Sequence, residues 1–178
     1  MILIELEKPV AEPVSVAQAK AWARIEREDE DAIVAALVSA ARETVEQRTG
    51  LVLGQRAFRL VLGEVPGHGQ VVVPRRPVGR VTGVRTFDAD GAETVRVVGT
   101  VRVAGEGLVV DPQLAGEGGI EIEFTAGDDR VPEAVRQAIL RIVAASYETR
   151  GIVSDAMQPA IVPAFAEALL APFRRVTL

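Results

Sequence analysis

The feature that most constrains the fold is a change of hydrophobic period in the middle of the chain. Between residues 55 and 125, short Val-rich segments, often alternating apolar and polar residues, are separated by Gly and Pro. A period of two is typical of strands with one buried face, and Gly and Pro mark the turns between them. This region is therefore predicted to form six or seven short strands, with DADG at residues 88–91 as a hairpin turn.

On both sides of this region, apolar residues recur every three or four positions, which is the period of an amphipathic helix. Ser15 and Gln18 have the spacing of a capping box, which predicts a short helix over residues 15–25. A longer helix is predicted over residues 31–49, ended by Gly50, and a third over residues 132–150, with Pro132 in its first turn. The predicted fold class is α+β, with helices bracketing an antiparallel β insertion.

The long second helix is predicted to have an apolar face and a polar face. The apolar face is expected to consist of Ile33, Leu37, Ala40, Ala41 and Val45, widened by Val34 and Val38. The polar face is expected to consist of Arg42, Glu43, Glu46 and Gln47. Because one helix can serve a core and a neighbouring chain at once, these four polar residues are candidates for a subunit interface.

The chain is predicted to end in a segment separate from the main domain. Residues 1–151 are expected to form one α+β domain, and residues 152–178 a linker with a short terminal helix. Apolar and basic residues gather in this segment, namely Phe165, Leu169, Leu170, Phe173, Arg174, Arg175 and Leu178. A short isolated helix is marginal in water, so it should fold on something. It either packs on its own core or docks in a groove of another protein.

Composition excludes several kinds of chemistry. The chain has no cysteine and a single histidine, His68 in a Gly-flanked loop, so thiolate and histidine-based sites have no ligands or bases. The sequence also lacks a phosphate-binding glycine motif. No catalytic, metal or cofactor site is predicted, and we expect that the protein is not an enzyme. The net charge of −5 argues against a protein that wraps nucleic acid, and no apolar run is long enough for a membrane span.

Three stretches in order resemble one known family. They are VAQAKAWARIEREDEDAIVAALVSAARETVEQRTGLVL, VVVPRRPVGRVTGVRTFDADG and VPEAVRQAILRIVAASYETRG. The first is similar to the family's opening helices, the second to the Pro-x-x-Pro-Val strands of its subgroup with a β insertion, and the third to its Val-Pro helix. The family is that of the head–tail connector (adaptor) proteins of long-tailed phages and phage-derived gene transfer agents.

This resemblance implies a structural role. The chain would be one subunit of a ring, of twelve copies, below the portal protein, continuing the DNA channel towards stopper and tail-completion proteins. Double-stranded DNA would pass without specific binding. The terminal segment, Phe165 to Leu178, would dock on the portal. Assembly would take place in the host cytoplasm, and the finished subunit would lie in the neck of the particle.

Two alternatives remain open from the sequence. One is a different neck or tail-completion protein, although such proteins tend to be mostly β. The other is a small β-rich ligand-binding or enzyme domain that uses only oxygen ligands, for which the sequence offers no motif.

Overall fold

The computed structural model of the chain describes residues 1–114, 118–149 and 162–175. The chain divides into two compact units. Met1–Pro9 and Gln55–Asp128 form the β unit, and Val10–Gly54 with Asp129–Leu178 form the helical unit. The predicted boundary at residue 151 and residues 152–161 of the predicted linker lie outside the described residues.

The β unit contains two antiparallel sheets. Its strands are β1 (Ile2–Glu5), β2 (Arg56–Leu62), β3 (Gln70–Val72), β4 (Val78–Phe87), β5 (Glu93–Val95), β6 (Val101–Ala104), β7 (Gly107–Val110) and β8 (Gly119–Ala126). The larger sheet has the order β1-β2-β8-β4-β5, and the smaller has the order β3-β7-β6. The α+β class and the strands of the predicted β insertion are therefore confirmed.

The alternating pattern fixes which strand faces are buried. In β2 and β8 every second residue is buried, and the register places Phe58 opposite Phe124 and Leu60 opposite Ile122. The two Phe rings stack with centroids 6.0 Å apart. A one-residue slip would turn these side chains out of the core, so the pattern determines the register.

One strand lies outside the predicted β insertion. β1 pairs with β2 at the edge of the larger sheet, and Ile2 and Ile4 remain largely exposed. Its four residues are too few to display a clear period.

The helical unit contains α1 (Val16–Ala23), α2 (Asp31–Thr49), α3 (Glu133–Thr149) and α4 (Ala164–Leu170), followed by a 3-10 turn at Ala171–Phe173. The capping box is formed: the Gln18 N–H donates to Ser15 Oγ at 3.1 Å and the Ser15 N–H donates to Gln18 Oε1 at 3.0 Å. Gly50 ends α2 with φ at 72°, a conformation in which its N–H bonds the Glu46 carbonyl at 2.8 Å. No described helix combines the length and hydropathy needed to cross a bilayer.

The buried face of α2 is rotated from the predicted one. Val34, Val38, Ala41 and Val45 are buried against the other helices, whereas Ile33 is 45% exposed and Ala40 is also exposed. Both sets have helical spacing, and the periodicity alone did not rank them. The prediction of Ile33 and Ala40 as core residues was wrong.

The same rotation corrects the predicted polar face. Arg42 and Glu46 are buried, and only Glu43 and Gln47 of the four predicted polar residues are exposed. The burial is possible because Arg42 and Glu46 form an ion pair with each other, as described below.

Candidate docking surfaces of the helical unit

The C-terminal helix α4 packs on its own helical unit. Ala166 and Leu170 are fully buried in the core that α2 and α3 share. Of the two alternatives for the terminal segment, packing on its own core is therefore the arrangement in this structure. Leu170 is a core residue here, and it is inaccessible to another protein while α4 is packed.

The remaining predicted docking residues differ in exposure. Phe165 is 60% exposed, Leu169 and Phe173 are partly buried against the helical core, and Arg174 and Arg175 are exposed. Leu178 lies outside the described residues. The Glu167 carboxylate forms ion pairs with both Arg48 of α2 and Arg174, which ties the end of the segment to the unit. The outer face of α4 thus presents an exposed aromatic ring at Phe165, and two exposed basic residues follow the 3-10 turn after it.

A stacked cation lies between three helices. The Arg141 guanidinium of α3 is 5.1 Å from the centroid of the Trp22 ring of α1 and 4.6 Å from that of the Phe165 ring of α4. Arg141 Nη1 also donates to Gln137 Oε1 at 2.9 Å. Trp22, the chain's only tryptophan, is 44% exposed. No sequence pattern indicated this cluster, because its members lie on three helices that are far apart along the chain.

A buried ion cluster lies around Arg42 of α2, in the same helical unit. Arg42 Nε donates to Glu12 Oε2 at 2.9 Å, and Arg42 Nη1 donates to Glu46 Oε2 at 3.0 Å. Arg42 Nη2 reaches Glu43 Oε1 at 3.3 Å. The second Glu46 oxygen accepts the Leu53 N–H at 2.8 Å, so Glu46 also fixes the chain beyond the helix. Arg42 and Glu46 therefore have structural roles, and Glu43 and Gln47 remain as surface groups.

His68 and Asp88, which could in principle take part in catalysis or metal binding, instead form local hydrogen bonds. The ring of His68 accepts the Gln70 N–H at its Nδ1, 3.0 Å away, which closes a loop. The Asp88 carboxylate accepts the N–H groups of Asp90 and Ala92 at 3.0 and 2.8 Å, as expected for a hairpin turn. Within the described ranges, no three His, Asp or Glu residues are grouped so that they could hold a metal ion.

The head completion protein family model matches residues 12–176, and the chain belongs to the head completion protein family. It is a structural head–tail connector subunit.

Solved structures of similar chains come from gene transfer agent (GTA) particles. A chain from the neck of an empty GTA particle, computed with C6 symmetry, is 26% identical with a TM-score of 0.80. A chain from the virion of a native GTA particle is 28% identical with a TM-score of 0.79. A chain from the neck of a native GTA particle, computed with C12 symmetry, is 26% identical with a TM-score of 0.75. Each match covers 100% of this chain and 97% of the other. No curated protein sequence matches the chain significantly.

Proposed function

We propose that the protein forms a closed ring in the neck of a phage or gene transfer agent particle, between the portal protein and the stopper and tail-completion proteins. The observation that carries this proposal is the similarity over the full chain to proteins of GTA necks computed with C6 and C12 symmetry. A ring of twelve copies is compatible with both symmetries, because a twelvefold axis contains a sixfold one. The role needs no catalysis and no cofactor.

The proposed portal contact is the outer face of α4. Phe165 offers an exposed aromatic side chain, and Arg174 and Arg175, which follow the 3-10 turn, offer positive charge. Aromatic and Arg side chains dominate the energetics of protein interfaces. Leu169 and Phe173 flank this face, and Leu178 would extend it. Since Ala166 and Leu170 hold the helix from below, the segment docks without leaving its own unit.

The ring would extend the DNA channel without gripping its cargo. Sequence-independent DNA binding depends on Lys and Arg that neutralise phosphates. This chain has 20 Lys and Arg against 25 Asp and Glu. A chain with more acidic than basic residues suits a channel through which duplex DNA passes. Assembly in the host cytoplasm, followed by residence in the particle neck, completes the proposed role.

The test is to mix the full chain with its cognate portal protein and to measure the mass of the complex by native mass spectrometry. We expect a portal complex that carries about twelve copies, as the C12 relative suggests. Phe165→Ala should weaken binding at least tenfold if Phe165 is an interface anchor. The matched control is Val97→Ala in the β unit, where Val97 is 77% exposed and its truncation should leave binding unchanged.

Two results would contradict the proposal. If the chain stays monomeric and does not bind the portal, it does not form the proposed ring. A chain that ignores the portal but binds an already formed connector ring is another neck component, which is the rival assignment. If Phe165→Ala and Val97→Ala affect binding equally, α4 does not form the portal contact, but the proposed ring is not contradicted.

A further inference from the structure

We infer that neighbouring copies in the ring contact each other through an exposed stripe of α2 on one copy and the Trp22–Arg141 pair on the next. The stripe consists of Ile33, Ala36, Leu37, Ala40 and Glu43, called the α2 stripe below. The inference rests on the proposed ring and names the surfaces that close it.

The α2 stripe is a mostly apolar helix face that the rest of the helical unit covers only at Leu37. Ile33, Ala36 and Ala40 are exposed, and Leu37 is half-buried. They follow each other at three- and four-residue spacing, so they form one continuous line. The two Ala residues allow another helix or a flat aromatic ring to approach closely.

The stripe ends in an exposed negative charge. Arg42 pairs with three carboxylates, those of Glu12, Glu43 and Glu46. Glu12 and Glu46 take the two shorter contacts, and the Glu43 side chain is 61% exposed. Glu43 is therefore the member of the cluster with charge to offer a neighbouring chain.

The Trp22–Arg141 pair has the complementary chemistry. Among the described residues, no carboxylate lies within ion-pair distance of Arg141, although most other Arg side chains of the helical unit have one. Stacking on two rings fixes the guanidinium before any partner arrives, which lowers the entropic cost of binding. The exposed Trp22 ring lies beside it. The pair therefore fits a surface that presents an aliphatic side chain and a carboxylate, as the α2 stripe does.

The two surfaces suit a head-to-tail contact. The buried face of α2 packs on α1 and α3, which carry Trp22 and Arg141. The α2 stripe points away from these helices, so one copy cannot satisfy itself. A contact between two different surfaces repeats from copy to copy and closes into a ring when the rotation fits. A second copy is therefore the occupant that we assign to the stripe.

Phe165 connects this contact to the portal. Its ring lies over the same guanidinium as Trp22 but belongs to α4. A portal segment that binds at Phe165 would therefore contact the same stacked cluster that the neighbouring copy contacts. Copies bound side by side on the portal would meet at a high effective concentration, so the ring would close there although free copies associate weakly.

The contact can be tested with single cysteines, because the chain has none. Ala40→Cys marks the α2 stripe, and Ala21→Cys marks an exposed position next to Trp22. Both full-length chains are mixed in equal amounts with the cognate portal and oxidised, and the products are separated by mass. We expect mixed dimers, which join one Ala21→Cys chain to one Ala40→Cys chain, in at least tenfold excess over either homodimer. A random distribution of the three dimers would overturn the inference.

A charge exchange tests the pairing directly. Arg141→Glu and Glu43→Arg should each lower the number of copies per portal, and the double variant should regain most of it. The matched control is Arg102→Glu, which makes the same charge change at an exposed position of the β unit. Thermal unfolding of each variant verifies folding.

The outcomes separate this inference from the proposed function. Single variants that assemble like Arg102→Glu, or a double variant that regains nothing, would overturn the contact while wild-type rings still form. Capture of the portal or another neck protein by the Ala40→Cys chain, with no contact between copies, would assign the stripe to that partner and overturn the inference. Absence of any wild-type ring would overturn the proposed function, and the contact with it.

Discussion

At the scale of single residues, Arg42 shows how the helical unit tolerates charge in its interior. Its side chain is 7% exposed and bonds both Glu12 and the buried Glu46. Removal of one partner from a buried ion cluster leaves the others uncompensated in a low-dielectric environment. Arg42 therefore contributes to stability mainly by compensating the buried charge of these carboxylates.

We expect Arg42→Met to lower the free energy of unfolding of the helical unit by about 3–5 kcal/mol, because it removes the cation that pairs with the buried Glu46 and the part-buried Glu12. Urea unfolding followed by Trp22 fluorescence measures this, since the only tryptophan lies in that unit. The control is Glu43→Gln, which removes an exposed partner and should cost less than about 1 kcal/mol. Equal costs for the two variants would show that the cluster is not buried in solution.

A second residue-scale prediction concerns pH. A hydrogen bond from Arg27, which reaches Asp29 Oδ2 at 2.6 Å, lowers the pKa of the Asp29 carboxyl below its ordinary value of 3.8. A carboxyl whose pKa is lower in the folded state than in the unfolded state stabilises the fold at pH values above its unfolded-state pKa. This stability is lost as the pH falls through the folded-state pKa. The melting temperature of wild type should exceed that of Asp29→Asn slightly at about pH 6. The gap should close as pH falls below 3.8. A constant gap across this range would contradict the pKa shift.

At the scale of elements, α4 has a packed face and a presented face. Leu170→Ala should cost about 2–5 kcal/mol of unfolding free energy, as large-to-small core substitutions do. Phe165→Ala removes an exposed ring and its contact with the part-buried Arg141, so it should cost less than about 1 kcal/mol. Urea unfolding of both variants compares the two faces. If Leu170→Ala proves as mild as Phe165→Ala, α4 does not pack on the unit in solution.

At the scale of the whole molecule, net charge governs the relation to DNA. With a net charge of −5, the chain should not bind duplex DNA at physiological salt more tightly than about 10⁻⁴ M, the weak end of non-specific binding. Electrophoretic mobility of a duplex with increasing protein measures this. Retardation at micromolar protein would contradict the proposal that the ring lets DNA pass without gripping it.

The sequence determined the local structure and the family. The spacing of Ser15 and Gln18 determined where α1 begins, and Gly50 determined where α2 ends. The alternating pattern determined which faces of β2 and β8 are buried. These preferences act between residues that are close in the chain. Tertiary structure decided which of two equally spaced α2 stripes is buried, because that depends on what α3 and α4 present to it. It also decided that Arg42 lies inside and that Trp22, Arg141 and Phe165 meet, since no local pattern links residues so far apart.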